Sequence, residues 1–425
     1  MDPILVEDNP HWTNPDAYGG YVDREILPKA EAMLEPKEVL AIVGARRVGK
    51  STLAKLLIRV LLQRGVDARN IFFINLEKPT FIPYKQDPSY LQKIYEAYLK
   101  LAEPDRSQRV YVFMDEVQIF QNWEVFVKAK YESENIKFVI TGSNSSLLGD
   151  TFATLLTGRV LKLRLHTFSF AEFLRFKEID FSTKIAIAQN RLQIEKAQEE
   201  YMRWGGYYSV IARDSDEIKM ELLSNIAEDI ILKDIVPRHK IKNSTEIRDL
   251  FHYLVSNATT LLNYSSLGKK LDLDAKTVKE YIGYFEDNYL ITLLSRQHNK
   301  VTETIRSTKK VYFNDNGFLN LGVTPQRNFG IALENLVFTA LNRTDQRITY
   351  LREKSEVDFL VGETLIQVAY DIEDEKVLKR ELKGIEEYRR PGQRAILITP
   401  YTDGEADDVE IMSFYRFVLT ELNRF

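Results

Sequence analysis

Residues 44–51 read GARRVGKS, which matches the phosphate-loop pattern G-x-x-x-x-G-K-[ST] at every fixed position. The apolar run from Glu38 to Val43 predicts a strand before it, and the residues from Ser51 to Gly65 predict a helix after it. A strand, a glycine loop and a helix in this order form a phosphate-binding site, because glycine lets consecutive backbone N–H groups turn toward one phosphate chain. The N-terminus of the helix adds a partial positive charge. The run therefore predicts an α/β domain that binds a nucleoside triphosphate.

The predicted loop contains a cation and a hydroxyl with separate tasks. Lys50 would neutralise the β- and γ-phosphates, and the Ser51 hydroxyl would bind Mg²⁺. The other residues expected to contact the nucleotide are Gly44, Ala45, Arg46, Arg47, Val48, Gly49 and Thr52.

A second apolar strand ends in two acidic residues. Val110 to Met114 predicts a buried strand of a parallel sheet, and Asp115 and Glu116 follow it. A Walker B element of this kind completes a phosphate-loop site. Asp115 is predicted to hold Mg²⁺, and Glu116 to polarise the attacking water as the general base. The alternative is a strand that ends in a solvated acidic turn.

Two further segments are candidates for contacts to the γ-phosphate. The apolar run from Phe138 to Thr141 leads into small polar residues, among which Ser143 or Asn144 would sense the γ-phosphate. Such residues also dominate ordinary turns, which is the alternative. Arg159 precedes another strand-like run. It is predicted to reach a neighbouring subunit's γ-phosphate as an arginine finger, to act within its own subunit, or to be a surface arginine.

The composition limits the classes of protein to which the chain can belong. Its 425 residues exceed one ordinary core, so about two to four domains are expected. With 58 basic and 62 acidic residues the net charge is −4, so nucleic-acid binding would need a local basic face. The lack of cysteine excludes disulfides, a thiol nucleophile and Cys-ligated metal. No apolar run approaches the roughly 20 residues of a membrane span, and the N-terminus lacks signal-peptide features, so a cytoplasmic protein without membrane contact is expected.

The ordered set of motifs resembles the prokaryotic AAA+ ATPases whose phosphate-loop domain is followed by a winged-helix module and a nuclease-like domain. The resemblance is carried by NPHW at 9–12, GARRVGKST at 44–52, MDEVQ at 114–118, ITGSNSSLL at 140–148, TGRV at 157–160, HTFSFAEFL at 166–174, WGGYYSV at 204–210, LKDIV at 232–236, NFGIALENLVF at 328–338 and SEVDFLV at 355–361.

This resemblance implies ATP rather than GTP, Mg²⁺, ATPase activity and, as an option, a homo-oligomer. It also implies a domain order along the chain. The expected domains are an α/β phosphate-loop domain at 1–165, a helical lid at 166–238, a winged-helix module at 239–310, and a restriction-endonuclease-like α/β domain at 311–425.

The middle of the chain is a candidate reader of DNA. Residues 241–300 follow the order helix, turn, helix, strand, which is typical of a winged helix. In a DNA-binding version the helix that opens at Lys276 would enter the major groove of double-stranded DNA. The alternative is a winged helix that packs against protein, because nearby acidic residues weaken attraction to phosphate. The basic residues that would face DNA are Lys276, Lys279, Arg296, Lys300, Lys309 and Lys310.

The C-terminal residues resemble a nuclease that has lost its chemistry. Glu334 lies in a helical stretch and Asp358 in a strand, as in the restriction-endonuclease-like pattern. An active member needs Glu-x-Lys on the next strand, to hold Mg²⁺ and to steady charge or activate water. Here those positions read Gln367, Val368 and Ala369. We expect an inactive domain kept for binding or assembly. If it cuts, Glu334 and Asp358 are its expected metal ligands.

Three functions follow as hypotheses. The first is an Mg²⁺-dependent, ATP-hydrolysing AAA+ switch or motor that acts on DNA. The second is an ATP-regulated DNA- or protein-binding regulator with little turnover. The third is an ATP-regulated nuclease, against which the Gln367 and Ala369 positions argue.

Overall fold

The computed structural model describes residues 1–87, 89–144, 156, 158–298, 300–322, 328–344 and 346–425. Contacts among these residues divide the chain into two compact units, Met1–Leu165 and His166–Phe425. Residues 145–148 of the predicted sensor motif and Thr157 of the TGRV motif lie outside the described part. Among the helices that are described, none is both long and apolar enough to cross a bilayer.

The first unit is built on a sheet of five parallel strands within the described ranges. The strand order is β2-β3-β4-β1-β5, and the central strands β1 and β4 are buried at every position. Full burial is expected of strands covered on both faces. The strands are β1 (Val39–Val43), β2 (Ile71–Asn75), β3 (Val110–Asp115), β4 (Ile136–Gly142) and β5 (Val160–Arg164).

Helices connect the strands of this sheet. Lys50–Gln63 begins directly after the glycine loop, and Leu53, Leu57 and Leu61 form its fully buried face. A spacing of four residues keeps such side chains on one side of a helix. Both the strand before the loop and the helix after it therefore lie where the sequence predicts them. The other α-helices described in this unit are Asp2–Asp8, Leu27–Ala32, Tyr90–Ala102 and Trp123–Ser133.

The NPHW motif covers the exposed backbone of the edge strand β2. Asn9 Nδ2 donates to Phe73 O at 2.8 Å, and the Phe73 N–H donates to Asn9 Oδ1 at 2.6 Å. Trp12 Nε1 donates to Ile71 O at 2.9 Å. An uncovered strand edge invites pairing with another chain. The N-terminal segment thus satisfies this edge with side chains in place of a further strand.

The second unit, as far as it is described, contains a two-stranded hairpin and a six-stranded sheet. The hairpin strands are β6 (Ile291–Ser295) and β7 (Lys309–Phe313). The sheet strands are β8 (Ile348–Arg352), β9 (Glu356–Val361), β10 (Thr364–Val368), β11 (Ala395–Thr399), β12 (Gly404–Ala406) and β13 (Val409–Ser413).

Helices make up most of the rest of this unit. Its described α-helices are Phe170–Phe176, Lys184–Gln189, Arg191–Trp204, Tyr208–Ile211, Asp216–Asp229, Val236–His239, Ser244–Ser256, Tyr264–Leu271, Ala275–Asp287, Val301–Arg306, Phe329–Leu341, Glu375–Tyr388 and Phe414–Arg416. Its π-helical segments are Ile230–Ile235 and Phe417–Glu421.

The six-stranded sheet is mixed and runs in the order β12-β13-β11-β10-β9-β8. Strands β8, β9 and β10 form an antiparallel meander, and β11 lies parallel to β10. Parallel neighbours need a crossover, which here contains the helix Glu375–Tyr388. The helix Phe329–Leu341 precedes the meander. This part of the chain is therefore one helix, three antiparallel strands, a second helix and a fourth core strand.

The second unit departs from the predicted domain division at two points. Residues 166–238 do not form a separate lid unit, because they pack within the second unit; Gln198 Nε2, for example, donates to Pro400 O at 2.9 Å. The boundary between 310 and 311 cuts strand β7, whose pairing with β6 continues to Phe313.

Candidate functional site

The glycine loop follows β1 and runs into the helix Lys50–Gln63 with a backbone that requires glycine at both ends. A Cβ on Gly44 would lie 2.3 Å from Leu165 O, which is closer than any real Cβ contact. Gly49 has φ +99°, a conformation that L-residues rarely adopt. The two positions that the motif reserves for glycine are therefore explained by space and by backbone conformation.

The remaining loop residues are held by contacts around the loop. Ala45 and Val48 are buried, and Arg47 has a left-handed φ of 64°. Arg46 pairs with Glu77 at 2.7 Å. Thr52 lies in the first turn of the helix and is half-buried. A non-glycine residue in the left-handed region stores strain of about 1–3 kcal/mol, which is typical of loops shaped for a ligand.

Lys50 is buried and points back over the loop. Its Nζ donates to Ala45 O at 3.1 Å and to Gly44 O at 3.3 Å, and it lies 3.4 Å from Glu116 Oε1. Two of these three contacts are to neutral carbonyl oxygens of the loop itself. The ammonium is thus placed inside the loop, where phosphate oxygens of a nucleotide would replace the carbonyl oxygens as its partners.

Asp115 ends β3 and is clamped by two hydroxyls. Ser51 Oγ donates to Asp115 Oδ2 at 2.7 Å, and Thr141 Oγ1 donates to Asp115 Oδ1 at 2.6 Å. Burial raises the pKa of Asp115 above its ordinary value, and the neighbouring Glu116 carboxylate raises it further. The hydrogen bonds from Thr141 and Ser51 lower this pKa but do not cancel the rise. A divalent cation between Ser51 and Asp115 would relieve this cost, so the two residues fit the magnesium role predicted for them.

Glu116 follows Asp115 and is tied to the end of β4. Its backbone N–H donates to Thr141 Oγ1 at 3.0 Å, and Gln118 Nε2 donates to its Oε2 at 2.5 Å. The same Gln118 nitrogen lies 3.3 Å from Ser143 Oγ. Ser143 and Asn144 are both buried at the carboxyl end of β4, between the strands that carry the loop and the acidic pair.

These contacts bring Lys50, Ser51, Asp115, Glu116 and Ser143 to one edge of the sheet. Gln118 Oε1 is buried there without a hydrogen-bond partner among the described residues. A buried acceptor of this kind costs free energy unless a ligand or water donates to it. The donor set and this acceptor fit a nucleotide with Mg²⁺ and a water molecule.

Sequence reasoning missed three residues of the site. Thr141 and Gln118 lie in the ITGSNSSLL and MDEVQ motifs, but the motifs assign them no role; the pairing of β3 with β4 brings Thr141 to Asp115 and Gln118 to Ser143. Arg24 is buried and its Nη1 donates to Val48 O at 3.1 Å. It comes from a segment that precedes β1 and carries no motif, so only the folded chain reveals it.

Arg159 directly precedes β5 at the amino ends of the strands, whereas the candidate site lies at their carboxyl ends. The Val39 N–H donates to Arg159 O at 2.9 Å, whereas Arg164 is the residue of β5 that pairs with Val43 beside the loop. Val39 and Val43 are four residues apart on β1, which corresponds to a distance of about 13 Å along the strand. The Arg159 side chain also pairs with Glu132 at 2.7 Å. This position argues against a contact with the γ-phosphate of its own subunit, and both arginine-finger roles stay predictions.

The nuclease-like residues of the second unit lie beside a lysine that the sequence placed elsewhere. Glu334 Oε1 and Asp358 Oδ1 are 3.0 and 3.4 Å from Lys310 Nζ. Gln367 is buried, and its Oε1 accepts from the Asp358 N–H at 3.2 Å. With the Lys310 ammonium between these carboxylates, no group of three or more His, Asp or Glu side chains in the described ranges is arranged to hold a metal ion.

The predicted wing charges are corrected by the same contacts. Lys310 is buried, and Lys309 Nζ donates to Ser295 Oγ at 2.7 Å and to Ile305 O at 2.9 Å. Neither ammonium is presented on the wing for DNA. By contrast, Lys276 and Lys279 are exposed on the helix Ala275–Asp287.

Two family models match the chain. One described as AAA domain matches residues 36–174, and one described as Domain of unknown function (DUF8612) matches residues 195–327. Uncharacterized protein MJ1544 of Methanocaldococcus jannaschii is 31% identical over 414 residues, which cover 92% of this chain and 90% of that protein. The chain belongs to the MJ1544 family. An Uncharacterized protein of Haemophilus influenzae is 28% identical over 387 residues, which cover 88% of this chain and 92% of that protein.

The AAA domain match in this MJ1544-family chain spans the glycine loop, the acidic pair and β4. Among solved structures, the chain is similar to the Aeropyrum pernix ORC1 protein in complex with DNA, at 11% identity and a TM-score of 0.31, over 73% of this chain and 95% of that chain. It is also similar to the Thermotoga maritima RuvB Holliday junction branch migration motor, at 14% identity and a TM-score of 0.30, over 70% of this chain and 99% of that chain. TM-scores this low establish no shared function.

Proposed function

We propose that this protein is an Mg²⁺-dependent ATPase of the AAA+ type, whose hydrolysis cycle changes the placement of a DNA-binding winged helix and a nuclease-like domain that does not cut. The observation that carries the proposal is the convergence of Lys50, Ser51, Asp115 and Glu116 at the carboxyl edge of the first sheet.

Each of these residues has a separate task in the proposed reaction. Lys50 would leave the loop carbonyls and neutralise the γ-phosphate, and the loop N–H groups would hold the phosphate chain. Glu116 would accept a proton from the attacking water, while Gln118 holds its carboxylate toward Ser143. Mg²⁺, when held by Ser51 and Asp115, would stabilise negative charge on the phosphates.

Steady-state phosphate release and nucleotide affinity together test the proposal. Glu116→Gln should keep ATP affinity within about threefold and lower turnover at least about 100-fold, because it removes only the base. Lys50→Ala should lose nucleotide affinity. The matched control is Glu96→Gln, since Glu96 is exposed on the helix Tyr90–Ala102 and bonds only its neighbour Gln92 among the hydrogen bonds of the described residues.

Equal turnover in the wild type and Glu116→Gln would remove Glu116 as the base. Tight ATP binding without turnover in the wild type would instead favour the second function, a regulator that holds ATP without consuming it. Cleavage of labelled DNA in the presence of ATP and Mg²⁺ or Mn²⁺ would favour the third, a nuclease.

Contact with double-stranded DNA is proposed from the helix Ala275–Asp287. It is the third helix of an order in which Ser244–Ser256 and Tyr264–Leu271 precede it and the β6–β7 hairpin follows, which is the order of a winged helix. The Lys276 side chain is 82% exposed and reaches no closer than 3.9 Å to Glu280, so its charge is available to phosphate.

Restriction-endonuclease-like ancestry of the last domain is supported by the order of its elements, which is a helix, a three-strand meander, a second helix and a further strand.

Anisotropy with a labelled duplex at several salt concentrations tests the DNA contact. Replacing Lys276 and Lys279 by Ala should weaken binding and lower the salt slope by about 2, since each phosphate contact contributes about 0.9. Lys184→Ala, an exposed lysine on another helix, is the control. Unchanged affinity and slope in the double variant would assign the module to protein packing instead.

A further inference from the structure

A buried ammonium lies at the centre of three carboxylates in the second unit. Lys310 Nζ is 2.5 Å from Glu356 Oε1, 3.0 Å from Glu334 Oε1 and 3.4 Å from Asp358 Oδ1. The Lys310 side chain is 4% exposed. The carboxylates come from two elements, since Glu334 lies on the helix Phe329–Leu341 while Glu356 and Asp358 lie two residues apart on one face of β9. The lysine comes from a third element, β7 of the hairpin.

The groups around these carboxylates hold them in place. Tyr312 Oη donates to Glu334 Oε1 at 2.7 Å, and the Val368 N–H donates to Asp358 Oδ2 at 3.0 Å. Arg352 pairs with Glu356 at 3.0 Å. A cation at the centre of the cluster stabilises these carboxylates, because unpaired buried carboxylates are costly.

The side chains at the expected metal-site positions on β10 do not provide that cation. Ala369 is a methyl group at the position where the nuclease pattern has lysine. The Gln367 amide is turned to other partners, with Oε1 accepting from the Asp358 N–H and Nε2 donating to Glu381 Oε2 at 2.8 Å. Lys310, 48 residues before Asp358 in the chain, is the cation that reaches the carboxylates.

We infer that Glu334, Glu356 and Asp358 form a cation site whose permanent occupant is the Lys310 ammonium, in the place that a divalent metal ion would take. The site then joins the β6–β7 hairpin to the six-stranded sheet and admits metal only when Lys310 is removed. This inference is independent of ATP hydrolysis by the first unit.

The geometry of the Lys310 ammonium agrees with an internal cation. Its distances of 2.5–3.4 Å to three oxygens are those of an ion pair, and a modest contraction would reach the 2.3–2.6 Å that Ca²⁺ takes.

Titration with Tb³⁺, in the absence of nucleotide, tests this directly. Tb³⁺ takes oxygen ligands as Ca²⁺ does and emits when a nearby tyrosine is excited. Tyr312 bonds to Glu334, and the Tyr350 ring lies 5.8 Å from Lys310 Nζ. Lys310→Ala should gain a saturable site that binds Tb³⁺ at least tenfold more tightly than the wild type does. Ca²⁺ should compete for this site.

Two variants make the test specific. Lys309→Ala removes the adjacent lysine, whose Nζ bonds Ser295 Oγ, and should behave as the wild type. Adding Asp358→Asn to Lys310→Ala should abolish the new site. A folded Lys310→Ala protein that binds Tb³⁺ no better than the wild type would overturn the inference.

If Lys310→Ala does not fold, Tb³⁺ titration of two proteins that retain Lys310 tests the inference instead. The wild type and Glu334→Gln should then show the same Tb³⁺ titration, because Lys310 already fills the cluster. A saturable wild-type site that disappears in Glu334→Gln would mean that metal and lysine share or exchange the cluster, and would refute permanent occupancy.

Discussion

Thr141→Val removes one hydroxyl from the proposed magnesium site without changing the volume of the side chain. That hydroxyl donates to Asp115 Oδ1 at 2.6 Å and accepts from the Glu116 N–H at 3.0 Å. Thr141 is buried near the end of β4, so water cannot easily replace either bond. If Ser51 and Asp115 held Mg²⁺, Thr141 would be the hydroxyl that still orients the Asp115 carboxylate.

The expected loss follows from the type of each bond. A hydrogen bond to a charged group contributes about 1.5–3 kcal/mol, and the bond to Asp115 is of this type. That free energy corresponds to about 10–150-fold in metal affinity, which agrees with the roughly 10–100-fold typical of groups that orient a metal ligand. Leaving the Glu116 N–H without an acceptor costs about 1–3 kcal/mol more, and this second loss lowers the free energy of unfolding of the first unit.

The assay is the gain in nucleotide affinity that Mg²⁺ produces. A fluorescent ATP analogue is titrated in EDTA and again in Mg²⁺, and the ratio of the two Kd values is compared between variants. Thr141→Val should keep the Kd in EDTA and lose about 10–100-fold of the magnesium gain. Thr80→Val, an exposed threonine of the same unit, should change neither value. An unchanged ratio in Thr141→Val would refute the role of Asp115 as the magnesium ligand.

Three further perturbations have distinct readouts. Gln118→Leu should lower kcat about tenfold and leave ATP affinity within about twofold, because it frees the Glu116 carboxylate. Asn9→Ala should increase hydrogen exchange at β2, whereas the exposed Asn14→Ala should not. Burial lowers the pKa of His11 to about 4, although its hydrogen bond with the Ile71 carbonyl acts in the opposite direction. The contribution of the neutral His11 to stability is therefore complete above pH about 6.5 and is lost as the pH falls toward 4. In a plot of Tm against pH, His11→Gln should therefore show a smaller fall in Tm between these two pH values than the wild type does.

The sequence predicts the first site better than the second because of where its residues lie in the chain. The glycine loop and the acidic pair are each local patterns, and a parallel sheet brings the ends of their strands to one edge without further information. Thr141 and Gln118 depend on the pairing of β3 with β4, and Arg24 depends on the path of a segment without a motif. The contacts of Thr141 with Asp115, of Gln118 with Ser143 and of Arg24 with Val48 are tertiary, and the local motifs assign these three residues no role.

Lys310 shows the same limit in a stronger form. In the sequence it is one of two adjacent lysines, and an exposed charge on a wing is the ordinary expectation for such a pair. Strand alternation sends neighbouring side chains to opposite faces, so Lys309 reaches Ser295 and Lys310 reaches the carboxylates. The assignment of Lys310 to DNA failed because its carboxylate partners are distant in the sequence; Glu334 and Asp358, for example, lie 24 and 48 residues away.

The two acidic clusters of this chain differ in how firmly a lysine holds them, and the difference bears on which one can do chemistry. Lys50 contacts one carboxylate, at 3.4 Å, and otherwise bonds loop carbonyls, so an incoming phosphate can replace most of its partners. Lys310 contacts three carboxylates at 2.5–3.4 Å, and no comparable ligand can replace them. A site that must bind and release a metal with its substrate needs the first arrangement. The second makes the carboxylates a fixed joint, which is why turnover is proposed for the first unit alone.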